Sequence, residues 1–234
     1  MAQKTKVSVA AIIVAAGNSS RMGADINKQF LLIDDIPVLA RTLKAFDNAD
    51  CISNIIVVTK QEDILLVNDL VREFGISKVN AIVPGGKTRG QSVMHGLEQI
   101  KNNDFVAVHD GARPFISTAL IERLIKDAYK HGASAPGVVP KDTVKVADNL
   151  DFVSETPKRE TLRLIQTPQV FRVDELKLAY IRAQESGFEG TDDCSIAENM
   201  GIPIHLTQGE YTNIKVTTPE DLPIAEAICE FLDK

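Results

Sequence analysis

Val7-Ser8-Val9-Ala10-Ala11-Ile12-Ile13-Val14, followed at once by Ala15-Ala16-Gly17-Asn18-Ser19-Ser20-Arg21, is the stretch that decides the fold class of this 234-residue chain. Its first eight residues hold one hydroxyl and are otherwise apolar. A strand with one wet face alternates apolar and polar side chains. A strand covered on both faces need not, and such continuous runs belong to parallel sheets. The polar, glycine-containing segment behind it marks the strand's carboxyl end.

Working outward, the same alternation of elements recurs. Pro37 precedes residues 38–46, whose apolar positions fall at helical spacing. Residues 55–59 form a second buried strand and 64–74 an amphipathic helix. Residues 81–83 form a short strand ending in Pro84-Gly85-Gly86; a helix over 91–100 and a strand over 105–108 follow. Nearer the C-terminus, 173–186 reads as a helix, 204–208 as a strand and 219–232 as a helix. Strands alternating with helices of about ten residues predict one α/β domain built on a doubly wound, mostly parallel sheet. Such sheets bind ligands beyond the carboxyl ends of their strands. Polar, glycine-bearing stretches follow Val14, Val83 and Val108, and these three define the expected site.

Residues 135–166 break the rhythm. Val138-Val139-Pro140 and Thr143-Val144-Lys145-Val146 flank a charged stretch with turn residues at Asp148-Asn149, which reads as an extended, partly exposed hairpin with little core. An isolated two-stranded arm is marginally stable in water. An arm over about 138–165 that docks on a second subunit is one reading; a surface excursion on a monomer is the other.

Composition narrows the classes. Apolar residues at 44% supply a sizeable core, and a formal net charge of −6 argues against nucleic acid or an anionic membrane as partner. Local cationic pockets for phosphates remain compatible with an acidic shell. Three scattered cysteines without CxxC spacing and four dispersed histidines fit reduced thiols rather than disulfides or a metal cluster. No run approaches the roughly 18 apolar residues of a membrane span, so the expected compartment is the cytoplasm.

The first loop carries the chemistry. Gly17 lets the backbone approach a ligand closely, and successive N–H groups there can cradle an anion. Arg21 adds a planar charged fork and Lys28 a mobile point charge. This set suits a triphosphate, although an ordinary βα turn with solvated Arg21 and Lys28 has the same spacing. Neither GxxxxGK[ST] nor GxGxxG is present, which excludes a P-loop and the dinucleotide fingerprint. Elsewhere, Asp110 at a strand end is either a ligand-side carboxylate or a turn residue. Arg113-Pro114 and Thr167-Pro168 are either acceptor contacts or turn-shaping elements. His109 reads as a packed histidine, Asp192-Asp193 as a helix N-terminus and Cys194 as an inert thiol.

With Lys28-Gln29-Phe30 after it, the segment Ala15-Ala16-Gly17-Asn18-Ser19-Ser20-Arg21-Met22-Gly23 resembles nucleotidyltransferases of the glycosyltransferase-A-like fold. Further motifs appear in family order: Val108-His109-Asp110-Gly111-Ala112-Arg113-Pro114, Asp142-Thr143-Val144-Lys145, Gln166-Thr167-Pro168-Gln169-Val170-Phe171, Thr191-Asp192-Asp193 and Asn213-Ile214-Lys215-Val216-Thr217-Thr218-Pro219-Glu220-Asp221-Leu222. The ordered set is similar to the 2-C-methyl-D-erythritol 4-phosphate cytidylyltransferase family of the non-mevalonate isoprenoid pathway, over essentially the whole chain.

That resemblance implies a homodimer that joins CTP to the polyol phosphate and releases pyrophosphate, with Mg²⁺ or another divalent cation. By motif, it implies CTP contacts at Ala15, Ala16, Gly17, Gly86 and Ser92, with catalytic Arg21 and Lys28 on the phosphates. Asp110 would lie beside acceptor and metal. Arg113, Thr143, Arg159, Thr167, Thr191 and Lys215 would form the acceptor site, Thr143 and Arg159 reaching in from the partner's arm. Lys215 is also expected to act in catalysis. Ser19, Asn27 and Lys87 depart from the family's usual glycine, proline and acidic residue, and none removes a cationic group. Ribitol-5-phosphate cytidylyltransferases are the nearest rival, but tend to carry Ala-Gly-Gly in the first loop. A hexose-1-phosphate enzyme fits the acceptor motifs poorly, and a non-catalytic nucleotide-binding module is expected to lack Lys28, Lys215 or Asp110.

Overall fold

The structure is a computed structural model that describes residues 7–17 and 28–232. In chain order its elements are β1 (Val9–Val14), β2 (Leu32–Ile33), β3 (Ile36–Pro37), α1 (Val38–Asp47), β4 (Asn54–Thr59), α2 (Ile64–Glu73), β5 (Val79–Pro84), α3 (Arg89–Glu98) and β6 (Phe105–Asp110). The chain continues through α4 (Thr118–His131), β7 (Ser134–Val138), β8 (Val146–Ala147), β9 (Val153–Glu155), β10 (Leu164–Ile165), β11 (Gln169–Arg172), α5 (Val173–Ser186), α6 (Asp193–Asn199), β12 (His205–Gln208) and α7 (Asp221–Leu232).

Eight strands form one sheet in the order β10-β7-β11-β6-β1-β4-β5, with β12 on β7. β1 runs parallel to β4 and β6, and β4 parallel to β5. Only β11, antiparallel to β6 and β7, and β10, antiparallel to β7, oppose the rest. This is the expected α/β class. It explains the apolar run in β1: Val9, Ala11 and Ile13 pack on one face with α1 residues Leu39, Leu43 and Phe46 and α4 residues Leu120 and Leu124. Ala10 and Ile12 pack on the other face with α3 residues Val93 and Leu97 and α5 residues Leu176 and Tyr180. Each large aliphatic buried this way contributes about 1.5–3 kcal/mol. α3 can lie this close because Gly96 faces β1; a Cβ there would stand 2.8 Å from the Ile12 side chain.

Several boundaries differ from the sequence reading. α3 starts at Arg89 rather than 91, because Thr88 caps it by accepting the Gln91 N–H at 3.1 Å, and it stops at Glu98. β6 runs on to Asp110, so that carboxylate belongs to a strand end rather than to a turn. α4 is an addition, although its signals are ordinary: Ser117 accepts the Leu120 N–H, Leu120, Ile121, Leu124 and Ala128 are buried, and Gly132 ends it at φ 96°. β2 and β3 are also additions, joined through Asp34 and Asp35 at positive φ.

The largest correction concerns residues 135–166. The expectation of little core holds only for their middle. β7 is buried along its whole length inside the sheet, and Val138 and Gly137 pair with Leu164 and Ile165. Its Ser-Ala-Pro-Gly-Val sequence lacks the bulky apolar run that marks a buried strand. The exposed hairpin is β8 with β9, a separate two-stranded sheet, rather than a strand over 143–146. Leu150, Phe152 and Val153 on it are 77%, 70% and 59% exposed.

Candidate active site

The site sits where the sheet reverses direction. From β1 the chain moves to β4 and β5 on one side, then returns through β6 on the other. Segments leaving β1 and β6 therefore diverge and open a crevice. Register sets its floor: Val14 lies opposite Asp110. Beyond the strands the backbone stays tied, with the Ala15 N–H on the Val58 carbonyl, the Gly111 N–H on Val14 and the Gly85 N–H on Thr59.

A cleft of about 380 Å³ opens there, and the described residues lining it include Ala16, Gly17, Lys28, Gly86, Ser92, Asp110 and Lys215. Residues expected from four distant segments, those of Gly17, Gly86, Asp110 and Lys215, thus meet on one surface. The cleft also takes Gln29, Lys87, Thr88 and Arg89, which the sequence reading did not select. Among the described residues lining the cleft, four cations, Lys28, Lys87, Arg89 and Lys215, stand with one carboxylate, Asp110. In a chain of net charge −6, this is a locally cationic surface, suited to an anion.

The Gly85-Gly86 wall needs its glycines. A Cβ on Gly85 would stand 2.3 Å from the Ala16 Cβ and 2.9 Å from Ser92 Oγ. Ser92 Oγ accepts the Gly86 N–H at 3.1 Å and donates to the Thr88 carbonyl at 3.0 Å, which fixes the turn into α3. Ser92 therefore shapes the loop that it was expected to share in nucleotide binding.

Asp110 is the electrostatic centre. Lys215 Nζ lies 2.7 Å from its Oδ2, Arg89 Nε 3.6 Å from Oδ1 and Arg113 Nε 3.9 Å from Oδ2. Burial alone would raise its pKa. Lys215, then Arg89, then the Lys215 hydrogen bond and Arg113 outweigh that and hold the carboxyl at about 2. Lys215 reaches across 105 residues because its segment is strapped to the β6 loop. The Val216 N–H donates to the Ala112 carbonyl at 2.9 Å, and Arg113 Nη1 donates to the Asn213 carbonyl at 2.8 Å.

Behind Asp110, Thr167 Oγ1 accepts the Asp110 N–H at 3.1 Å and meets His109 Nδ1 at 3.0 Å, while His109 Nε2 faces the Arg113 carbonyl at 3.2 Å. A carbonyl only accepts, so Nε2 carries the proton and the Thr167 hydroxyl donates to Nδ1. Burial drives the imidazole pKa down to about 3, keeping it neutral. His109 is the packed histidine expected from sequence. Thr167 is buried, follows Gln166 and precedes a cis Pro168.

The other expected residues sit elsewhere. Ala15 is buried beneath the loop. Arg113 supports Asp110 from behind the cleft wall. Thr143 and Arg159 are exposed on the arm, Arg159 donating to the Lys141 carbonyl at 2.8 Å. Thr191 is exposed, directly before Asp192, which caps α6 by accepting the Ser195 N–H at 2.9 Å. Arg21, Ser19 and Asn27 lie outside the described residues. Arg89 follows the same glycine stretch as Gly86, a cue available in sequence; its partner Asp193 lies 104 residues away and gave none.

Among the described residues no group of three or more His, Cys, Asp or Glu could hold a metal. Among the described residues lining the cleft, Asp110 is the carboxylate that could hold a hard cation such as Mg²⁺, which takes few protein ligands. No helix among the described residues is long and apolar enough to cross a membrane.

The sequence and the fold have counterparts among known proteins. The family model for IspD, 2-C-methyl-D-erythritol 4-phosphate cytidylyltransferase, matches residues 9–231. A 2-C-methyl-D-erythritol 4-phosphate cytidylyltransferase of Clostridium novyi is 46% identical over 221 residues, covering 94% of this chain and 96% of the relative. The protein of that name from Caldanaerobacter subterraneus is also 46% identical, over 94% of this chain and 98% of its own. The crystal structure of 4-diphosphocytidyl-2C-methyl-D-erythritol synthase from Anaerococcus prevotii superposes with a TM-score of 0.86 at 31% identity, covering 98% of this chain and 97% of that one. With sequence and fold in agreement along nearly its full length, this chain belongs to the 2-C-methyl-D-erythritol 4-phosphate cytidylyltransferase family.

Proposed function

We propose that the chain joins CTP to 2-C-methyl-D-erythritol 4-phosphate, giving 4-diphosphocytidyl-2-C-methyl-D-erythritol and pyrophosphate for isoprenoid synthesis by the non-mevalonate route. The observation that carries this reading is the cleft at the ends of β1, β5 and β6. There Lys28, Arg89 and Lys215 face Asp110 beside the Ala16-Gly17 and Gly85-Gly86 backbones, in a chain of this family.

The chemistry asks little of a proton-transfer group. An oxygen of the acceptor phosphate attacks the α-phosphorus of CTP, the new P–O bond forms, and the α–β bridging oxygen leaves with its electron pair on pyrophosphate. The nucleophile is already anionic, so no base is required, and the neutral, buried His109 offers none. Catalysis is then positioning and charge stabilisation. Lys28 and Arg21 gather the triphosphate, and Lys215 steadies the acceptor phosphate and the crowded transition state. Gly86 and Ser92 form the base side of the cleft. A Mg²⁺ ion held by Asp110 and phosphate oxygens would neutralise triphosphate charge when bound.

Arg113, Thr167 and Thr191 are proposed for the acceptor side, joined by Thr143 and Arg159 from a partner's arm. The exposed apolar residues Leu150, Phe152 and Val153 support that arm as a dimer contact. Three cysteines outside any disulfide support a reducing, cytoplasmic setting.

The test is direct. CTP, the polyol phosphate and Mg²⁺ are mixed with the protein and pyrophosphate is followed; the product's mass identifies the cytidylyl adduct. Folded protein that releases no pyrophosphate overturns the reading.

A further inference from the structure

Asp193 is fully buried, yet it lies outside the cleft and has no part in the mechanism above. It is the first residue of α6, where a helix N-terminus favours a negative charge. Three neighbours fix it. Arg89 Nη2 donates to its Oδ2 at 2.6 Å, and the buried Tyr180 hydroxyl donates to its Oδ1. Gln169 on β11 clamps the same turn by donating to Asp192 Oδ2 at 2.7 Å and accepting the Cys194 N–H at 3.0 Å.

The Nε edge of the Arg89 guanidinium faces the active carboxylate, Nε standing 3.6 Å from Asp110 Oδ1. Arg89 is therefore stretched between two carboxylates, with the shorter bond on the side away from the reaction. A guanidinium released from Asp193 could close bidentately on Asp110, since that fork matches a carboxylate. It would then compete with Lys215, which holds the other Asp110 oxygen at 2.7 Å.

We propose that Asp193, braced by Tyr180, is a positioning residue that holds Arg89 back from Asp110 and so keeps Asp110 and Lys215 in their working arrangement. The inference rests on the cytidylyl-transfer reading above. Tyr180 supports the pairing, because burial followed by the Asp193 charge pushes its phenol well above the ordinary range, so it remains a hydrogen donor.

The experiment compares Tyr180→Phe, Asp193→Asn, Arg89→Met and Arg89→Met/Asp193→Asn with the unaltered enzyme, following pyrophosphate release. Asp193→Asn is expected to lower kcat about 10- to 100-fold, the scale of a small misplacement, while KM for CTP changes under about threefold. The double variant should match Arg89→Met within about twofold, since Asp193 acts only through Arg89. Tyr180→Phe should shift kcat in the same direction by a smaller factor. If Asp193→Asn does not fold, the Arg89→Met pair decides, because both of its members lack the buried unpaired cation. Multiplying losses in the double variant, or a folded Asp193→Asn with unchanged kcat, overturns the proposal. Absence of turnover in the unaltered enzyme sinks the underlying reading instead.

Discussion

Lys215 Nζ lies 2.7 Å from Asp110 Oδ2, a pair joined across 105 residues and set in the cleft between β1 and β6. The lysine is more than a third exposed and the carboxylate nearly buried, so the cation is the partner that faces incoming phosphate. Replacing Lys215 by Ala should lower kcat by at least about 10²-fold, the scale for one preorganised charge contact. Lys28→Ala should do the same. Steady-state pyrophosphate release on folded variants checks both, and near-normal turnover would exclude these roles.

The depressed pKa of Asp110 gives an acid-stability prediction. Its folded value, about 2, lies below the ordinary 3.8. The unfolded chain therefore takes up the proton first as pH falls. The stabilisation is fully present above about pH 4 and is lost as pH drops toward 2. Thermal midpoints should fall across that window, and Asp110→Asn should flatten the slope. Equal slopes for the two proteins would count against the assignment.

His109 carries a second pH prediction with the same sign. Its folded pKa of about 3 lies below the ordinary 6.5, so its contribution is complete above about pH 6.5 and declines as acid protonates the unfolded chain. In an NMR titration its ring signals should stay those of the neutral Nε2–H tautomer down to about pH 5. A midpoint near 6.5 would show that the Thr167 and Arg113 contacts do not exclude the proton.

Gly85→Ala tests the close approach of the two nucleotide-side loops. With 2.3 Å between the new Cβ and that of Ala16, the walls must separate. CTP affinity by calorimetry should fall by about tenfold or more, the scale of losing one or two well-placed contacts, with a smaller change in thermal midpoint. Unchanged affinity would mean that this wall does not touch the nucleotide.

The partner's arm can be tested by complementation. Arg159→Ala and Lys215→Ala homodimers should each be nearly inactive. Mixed subunits, equilibrated one to one, should recover about a quarter of normal activity, because half the dimers are hybrid and each holds one intact site. No recovery in demonstrably mixed dimers would place Arg159 in its own subunit's chemistry or in none.

The sheet class was legible in the sequence, because β1 and β4 must be apolar on both faces when helices cover both, and that leaves an unbroken run to read. The sequence also located three loops behind strand ends, and with them Gly17, Lys28, Gly86 and Asp110. It pointed the wrong way for β7, whose small residues and proline read as part of an exposed arm yet lie buried between β11 and β12. Tertiary structure alone decided which charges meet. Lys215 finds Asp110 only because Val216 and Asn213 are bonded to the β6 loop, and Arg89 finds Asp193 only because α6 packs beside α5 and α3. Local patterns record which face of an element is covered. Ion pairs separated by about a hundred residues leave no periodic trace, because the packing of distant elements sets their distance.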